Sequence, residues 1–195
     1  GYSDFGRLVS DVKQQAALIK YLLDNQKRDK PLLLVGSSYG GPVAARLLMD
    51  YPECADGVVF VSSSLAPGEE KTYGITYPTS KPYMSWLLPR TIRQANTEKL
   101  RHKRSLDAMD SMWTKVKVPY LILHGEEDGL IYPENANYAK RKLGPNRGRI
   151  IWVKRRGHGL PWSEPVLVQE AILEMISNLR NGAVATSDQS ANSSP

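Results

Sequence analysis

Short apolar runs alternate with amphipathic segments along most of the chain. Apolar residues at helical spacing predict an amphipathic helix over residues 8–25: Leu8, Val12, Ala16, Ile19 and Leu23. Uninterrupted apolar runs, typical of strands buried on both faces, occur at residues 31–35, 57–61, 118–124 and 149–153. Further helices are predicted at residues 43–49, 133–143 and 165–179. Strands that alternate with helices indicate an α/β fold, with a mostly parallel sheet and helices on both faces.

One long stretch, residues 66–113, carries no strand signal between the second and third predicted strands. It contains aromatic residues and prolines, and structureless loops of this length are uncommon inside compact domains. We therefore predict a cap or lid, inserted into a single core domain made of residues 1–65 and 114–180. The small, polar residues 181–195 predict a disordered tail.

The composition is that of an ordinary globular protein, with 195 residues of which 41% are hydrophobic and 24% charged. No apolar run approaches the roughly 18 residues that a membrane-spanning helix needs. The single cysteine, Cys54, leaves no partner for an intrachain disulfide, and the three histidines lack metal-ligand spacing, so no metal site is expected. One cysteine and no visible leader segment favour a cytoplasmic location.

A net charge of +6 raises the question of binding to nucleic acid or to a membrane surface. The basic clusters at residues 99–104, 140–142 and 154–156 lie far apart in the sequence. They also lack the interleaved aromatic residues of a platform for single-stranded nucleic acid. We therefore expect solvated basic faces, with neither nucleic acid nor membrane as a partner.

A Gly-x-Ser-x-Gly pattern at residues 36–40 stands between the first predicted strand and the helix that follows it. In this context the serine lies on a strained strand-to-helix turn, and the flanking Gly36 and Gly40 leave room for the backbone to fold sharply. Ser38 is therefore the candidate nucleophile. The amide of Tyr39, at the start of the helix, is a candidate donor to an oxyanion. The alternative is a simple glycine-rich turn; the motifs of phosphate-binding loops are absent.

A serine hydroxyl needs a histidine as base and a carboxylate that orients the histidine. Asp128 follows the strand predicted at residues 118–124, and His158, between two glycines, follows the strand predicted at residues 149–153. Both therefore fall in loops at the carboxyl ends of parallel strands, in the order serine, acid, histidine. These positions make Asp128 the candidate acid and His158 the candidate base.

Other residues near these positions remain alternatives. Glu126 and Glu127 share the loop of residues 125–133, here called the acid loop, although Asp128 lies nearest the apolar turn that would tuck it toward the sheet. His158 could instead be a surface loop residue. We expect His124 to be a strand-end residue and His102 to be a cap or surface residue.

At these residues the chain resembles the α/β-hydrolase fold family. Residues 36–41, 125–133 and 157–159 look like three signature blocks of that family, and the resemblance runs from residue 1 to about residue 180. It implies the C-terminal part of the fold, because family members carry further strands, and a loop that donates a second oxyanion amide, before this point. On that basis we expect the chain by itself to be inactive or to lose about 100- to 1000-fold in turnover. We also expect the strand at residues 31–35 to be an exposed apolar edge.

The resemblance implies a serine hydrolase that cleaves a carboxylic ester or related acyl substrate through an acyl-enzyme, with no cofactor. It assigns catalysis to Ser38, Asp128 and His158 and oxyanion binding to Tyr39. An apolar substrate pocket is expected from four residues: Trp86, Leu87, Leu88 and Leu130. Trp113 is expected either in that pocket or in the core. The alternatives are hydrolysis of an amide or carbon–carbon bond, perhydrolysis, and a catalytically silent binding module that keeps the turn as scaffold.

Overall fold

Four parallel strands form one sheet, and their order across the sheet is their order along the chain. The computed structural model describes residues 11–69 and 102–181. Within this part the strands are β1 (Leu33–Ser37), β2 (Gly57–Val61), β3 (Tyr120–Gly125) and β4 (Gly148–Val153). The strand pairing is parallel throughout, which confirms the predicted α/β class.

Six α-helices connect and cover these strands within the described residues. They are α1 (Val12–Asp24), α2 (Gly40–Asp50), α3 (residues 102–109), α4 (Glu134–Leu143), α5 (Leu160–Ser163) and α6 (Pro165–Arg180). Two short 3₁₀ helices span Asp110–Lys115 and Pro145–Arg147. Among the elements whose predicted range lies wholly within the described residues, the largest boundary error concerns α2, which begins at Gly40, three residues earlier than predicted. Strand β1 begins and ends two residues later than predicted, and its pairing with β2 continues to Ser37. The start of the first predicted helix, residues 8–10, lies outside the described residues.

Alternating side chains of the strands bury two separate cores, one on each face of the sheet. On β2, Val58 and Phe60 pack into a cluster with α1, α2, α3 and α4, whereas Val59 and Val61 pack into a second cluster with α5 and α6. The same alternation continues on β3. Helices therefore cover both faces, as predicted, since successive side chains of a strand point to opposite sides.

Most of the predicted cap, residues 70–101, lies outside the described residues, and the domain division at residues 66 and 113 stays a prediction. Trp86, Leu87 and Leu88 fall in that range. Trp113 is 1% exposed and packs in the core cluster that also contains Leu106 and Met109, so the structure assigns this tryptophan to the core. The predicted tail falls outside the described residues from residue 182 onward.

Strand β1 lies at an edge of the described sheet, with β2 as its neighbour there. Val35 is 47% exposed on this strand. Together with α1 and α2 the strand borders a groove of about 470 Å³ that is lined mainly by apolar side chains, among them Leu18, Leu34 and Val43. This arrangement is the exposed apolar edge that the sequence predicted. None of the helices in the described part of the chain has the length and apolar character that crossing a membrane requires.

Candidate active site

The carboxyl ends of β1, β3 and β4 bring Ser38, Asp128 and His158 together. Nε2 of His158 lies 3.0 Å from Oγ of Ser38, and Nδ1 of His158 lies 2.9 Å from Oδ2 of Asp128. Because a carboxylate only accepts hydrogen bonds, Nδ1 carries a proton, and a neutral ring then presents Nε2 as an acceptor to the serine hydroxyl. The three side chains form one continuous hydrogen-bonded row.

Ser38 occupies a sharp turn between β1 and α2. Its φ is +50°, in the left-handed region that residues other than glycine rarely adopt. Its N–H donates to the carbonyl of Val61 at 3.0 Å, and its carbonyl accepts from the N–H groups of Gly41 and Ser64. These backbone bonds hold the turn against the end of β2, which is how the strained conformation persists.

Two glycines are required by close contacts in this turn. A Cβ atom on Gly36 would lie 2.7 Å from the carbonyl oxygen of Gly40, and one on Gly41 would lie 2.3 Å from Cβ of Ser63. By contrast, a Cβ atom on Gly40 would meet nothing within 4 Å. The expectation that Gly40 makes room for the turn is therefore wrong. The crowding at Gly36 comes from the backbone of residues 40 and 41, and the crowding at Gly41 comes from Ser63, two residues after the end of β2.

The acid loop buries one of its three carboxylates. Asp128 is 2% exposed, whereas Glu126 and Glu127 are exposed. Oδ1 of Asp128 accepts hydrogen bonds from the N–H groups of Leu130 and Ile131, at 3.0 and 2.9 Å. Burial by itself raises the pKa of Asp128, but the hydrogen bonds from His158 and from the two N–H groups outweigh burial and lower this pKa below its ordinary value. The buried carboxylate is therefore ionised at neutral pH.

A backbone hydrogen bond joins the acid loop to the loop after β4, which carries His158. The N–H of Glu127 donates to the carbonyl of Arg156 at 3.0 Å. A Cβ atom on Gly125 would lie 2.3 Å from that same carbonyl oxygen, so only glycine permits the close approach of the two loops. This approach places Asp128 within hydrogen-bond distance of His158, which is half-buried.

The two remaining predicted site residues in the described part of the chain adjoin this row. Tyr39 directly follows Ser38 and immediately precedes α2, so its backbone amide stands at the helix N-terminus. Its ring lies 5.0 Å from the ring of His102, measured between centroids. Leu130 is 41% exposed beside Asp128. The roles assigned to Tyr39 and Leu130 stay predictions.

Two histidines have surroundings that the sequence did not reveal. His102 is 3% exposed, and its Nε2 lies 2.7 Å from Oγ of Ser64. The surface alternative is therefore wrong, and the alternative of a cap residue stays a prediction. His124 is a strand-end residue, as expected, but it is completely buried against the acid loop. Its position in the sequence, directly before Gly125 and four residues before Asp128, was the only available signal.

The basic clusters have acidic neighbours. Arg141 pairs with Glu134, Lys142 with Asp110, Arg156 with Glu164, and Lys103 with Asp107. Ion pairing of this kind reduces the positive field that phosphates would meet. Among the described residues there is no group of three or more histidine, cysteine, aspartate or glutamate side chains placed to hold a metal ion.

A family model described as "Serine aminopeptidase, S33" matches residues 1–112. The matched range contains the turn around Ser38 and ends before Asp128 and His158. No curated protein has a significant sequence match to the chain.

Solved structures share the fold over nine-tenths of the chain. A monoacylglycerol lipase from Paleococcus ferrophilus is 18% identical, with a TM-score of 0.69 over 90% of this chain and 79% of that protein. An esterase from Exiguobacterium antarcticum is 19% identical, with a TM-score of 0.66 over 91% and 78%. An esterase from Rhodococcus sp. is 20% identical, with a TM-score of 0.65 over 92% and 77%. At these identities the likeness establishes the fold.

Proposed function

The chain belongs to the family described as "Serine aminopeptidase, S33", a family of α/β hydrolases, and from this premise we propose that it is a serine hydrolase with Ser38 as nucleophile. The observation that carries the proposal is the hydrogen-bonded row from Ser38 through His158 to Asp128. A row of this geometry is what activation of a serine hydroxyl requires.

In the first half of the reaction, Oγ of Ser38 attacks the carbonyl carbon of the substrate while Nε2 of His158 takes the hydroxyl proton. Asp128 stabilises the resulting imidazolium and keeps its Nδ1–H in place. The amide of Tyr39 donates to the tetrahedral oxyanion at the N-terminus of α2. The bond from the carbonyl carbon to the leaving group then breaks, and the proton on Nε2 passes to the leaving group.

In the second half, water attacks the acyl carbon of the ester formed with Ser38. His158 takes the proton of that water and returns it to Oγ as the serine leaves, which releases a carboxylic acid. Neither half requires a metal or a cofactor, because every proton is carried by His158.

We assign the substrate to the carboxylic esters and related acyl compounds. Support comes from the structural neighbours, which include two esterases and a monoacylglycerol lipase. Leu130, exposed beside Asp128, would contribute an apolar surface to the acyl pocket. The description of the family model favours a second candidate, hydrolysis of the amide bond after an N-terminal amino acid. Nitrophenyl esters of increasing acyl length, compared with aminoacyl nitroanilides, distinguish the two by their kcat/KM values.

Covalent labelling with a fluorophosphonate probe tests the nucleophile directly. We expect one labelled site, at Ser38, when the modified protein is digested and examined by mass spectrometry. The Ser38→Ala variant should lose the label while keeping its circular dichroism spectrum. If folded wild-type protein stays unlabelled at neutral pH, the proposal of a serine hydrolase is wrong, and a catalytically silent binding module is favoured instead.

The assignment of the acid is tested by a matched pair of substitutions. Asp128→Asn should lower turnover by about 10⁴-fold, because the amide favours the wrong tautomer of His158. Glu127→Gln changes an exposed carboxylate of the same loop and should leave turnover within about twofold of wild type. Equal losses in the two variants would mean that Asp128 does not have this role.

A further inference from the structure

His124 lies directly behind the acid of the proposed site. It is the penultimate residue of β3, and its side chain is 0% exposed. Its ring meets the ring of Trp152 on β4 nearly edge-on, with the centroids 6.0 Å apart. The mechanism proposed above gives this buried imidazole no part.

The hydrogen bond of His124 defines which of its nitrogens carries the proton. Nε2 lies 3.0 Å from the carbonyl oxygen of Ile131. Because a carbonyl oxygen only accepts, Nε2 must be the protonated nitrogen, and in a neutral ring Nδ1 is then an acceptor. Nδ1 is buried and has no hydrogen-bond partner in the described part of the chain. A second proton there would be a buried, unpaired donor, so the site suits a neutral ring.

Nε2 of His124 also lies near the carboxylate of Asp128. Oδ2 of Asp128 lies 3.7 Å from Nε2 of His124 and 2.9 Å from Nδ1 of His158. The first distance is too long for a hydrogen bond, but the charge of Asp128 still acts on the His124 ring and by itself raises the pKa of that ring. Oδ2 therefore lies between two imidazoles, one buried and one facing Ser38.

Both backbone polar groups of Ile131 form hydrogen bonds that fix the turn carrying Asp128. The N–H of Ile131 donates to Oδ1 of Asp128, and the carbonyl of Ile131 accepts from His124. A shift of the His124 ring would therefore move the backbone that orients the carboxylate.

Burial is the main reason that His124 favours the same neutral state. Burial lowers the pKa of His124, the hydrogen bond to Ile131 and the charge of Asp128 raise it in part, and the charge of His158 lowers it again. Because the ring stays neutral at neutral pH, it does not compete with His158 for the charge of Asp128.

We propose that His124 is a positioning residue, which holds the turn of residues 128–131 so that Oδ2 of Asp128 faces His158. The inference rests on the proposed function, in which Asp128 orients His158. It gives His124 no contact with the substrate.

Two substitutions distinguish the effect of the His124 hydrogen bond from the effect of the volume of its side chain. His124→Gln keeps an N–H donor near the position of Nε2, whereas His124→Phe keeps a ring against Trp152 and removes the donor. We expect the rate of fluorophosphonate labelling at Ser38 to fall about 10- to 100-fold in the phenylalanine variant, the usual range for losing a hydrogen-bond partner that orients a reactive group. The glutamine variant should stay near the wild-type rate. Equal rates in the two folded variants would overturn the inference.

A second measurement uses the wild-type protein and needs no reactivity. Nuclear magnetic resonance of protein with ¹⁵N-labelled histidine should show His124 neutral, with its proton on Nε2, at neutral pH. It should also show a downfield Nδ1–H signal from His158, retained in His124→Gln and weakened in His124→Phe. A His124 ring protonated on Nδ1 at neutral pH would overturn the inference. Failure of wild-type labelling would overturn the proposed function instead, and would leave this spectrum of His124 unchanged.

Discussion

Ser63 and Gly41 approach so closely that a Cβ atom on residue 41 would lie 2.3 Å from Cβ and 2.4 Å from Oγ of Ser63. The hydroxyl of Ser63 also donates to the carbonyl of Gly36 at 2.8 Å. Gly36 precedes Ser38 and Gly41 follows it, so Ser63 braces the turn on both sides. The end of β2 thus determines the shape of a turn that belongs to β1 and α2.

Replacing Gly41 by alanine should damage this turn. The added methyl group overpacks against Ser63, and we expect the free energy of unfolding in urea to fall by about 1–3 kcal/mol. Gly40→Ala is the matched control, since a Cβ atom there meets nothing within 4 Å and alanine favours the first turn of α2. Its stability should stay equal or rise by up to about 1 kcal/mol. Similar losses in both variants would contradict the role given to Ser63.

Asn135 links the segment after β2 to the acid loop. Its fully buried Oδ1 accepts from the N–H groups of Leu65 and Ala66, at 2.7 and 2.8 Å. Its Nδ2 donates to the carbonyls of Glu69 and Tyr132. The side chain therefore uses all four of its hydrogen-bonding positions.

Asn135→Leu should lower the free energy of unfolding by at least about 2 kcal/mol, because two N–H groups and two carbonyls lose their buried partner. Asn137→Leu, on the same helix, removes a half-buried amide whose one described bond, to Glu134, is 3.4 Å long. It should change stability by no more than about 0.5 kcal/mol. Urea unfolding of the two variants measures the difference. A smaller loss for Asn135→Leu than for Asn137→Leu would be incompatible with the proposed linkage.

The positions of Ser38, Asp128 and His158 could be predicted because each lies within five residues after a short apolar run. Such a run marks a buried strand, and the carboxyl ends of parallel strands lie at one edge of the sheet. Loop order and strand order were therefore enough to expect the three side chains near one another. The structure places them within hydrogen-bond distance.

The surroundings of these residues could not be predicted, because they depend on contacts between distant parts of the chain. His102 is buried and forms a hydrogen bond with Ser64, which is 38 residues away in sequence. Gly41 is required by Ser63 rather than by its own helix. The sequence shows neither pairing, since helical or strand spacing describes only which face of an element is apolar.

The buried pair of Ser64 and His102 should contribute measurably to stability. Ser64→Ala removes the 2.7 Å hydrogen bond and should lower the free energy of unfolding by about 1–3 kcal/mol, since Nε2 of His102 loses a partner while buried. Ser62→Ala is the control two residues away. The hydroxyl of Ser62 is buried and has no hydrogen-bond partner among the described residues, so its removal should leave stability unchanged or slightly higher. Chemical unfolding that ranks the two variants in the opposite order would exclude a stabilising role for the pair.

Acid should destabilise the protein in two separate pH ranges, because the folded state lowers the pKa of both His124 and Asp128. For a group with a lowered pKa, the unfolded chain binds more protons, so stability is present above the ordinary pKa and is lost as pH falls toward the folded value. The ordinary values are 6.5 for His124 and 3.8 for Asp128.

We expect the free energy of unfolding to decline below pH 6.5 in wild type and to stay flatter there in His124→Gln. Below pH 3.8, Asp128→Asn should flatten the curve. Urea titrations at closely spaced pH values measure these slopes, and a His124→Gln curve parallel to wild type between pH 6.5 and 5 would show that His124 gains its second proton as easily in the folded protein as in the unfolded chain.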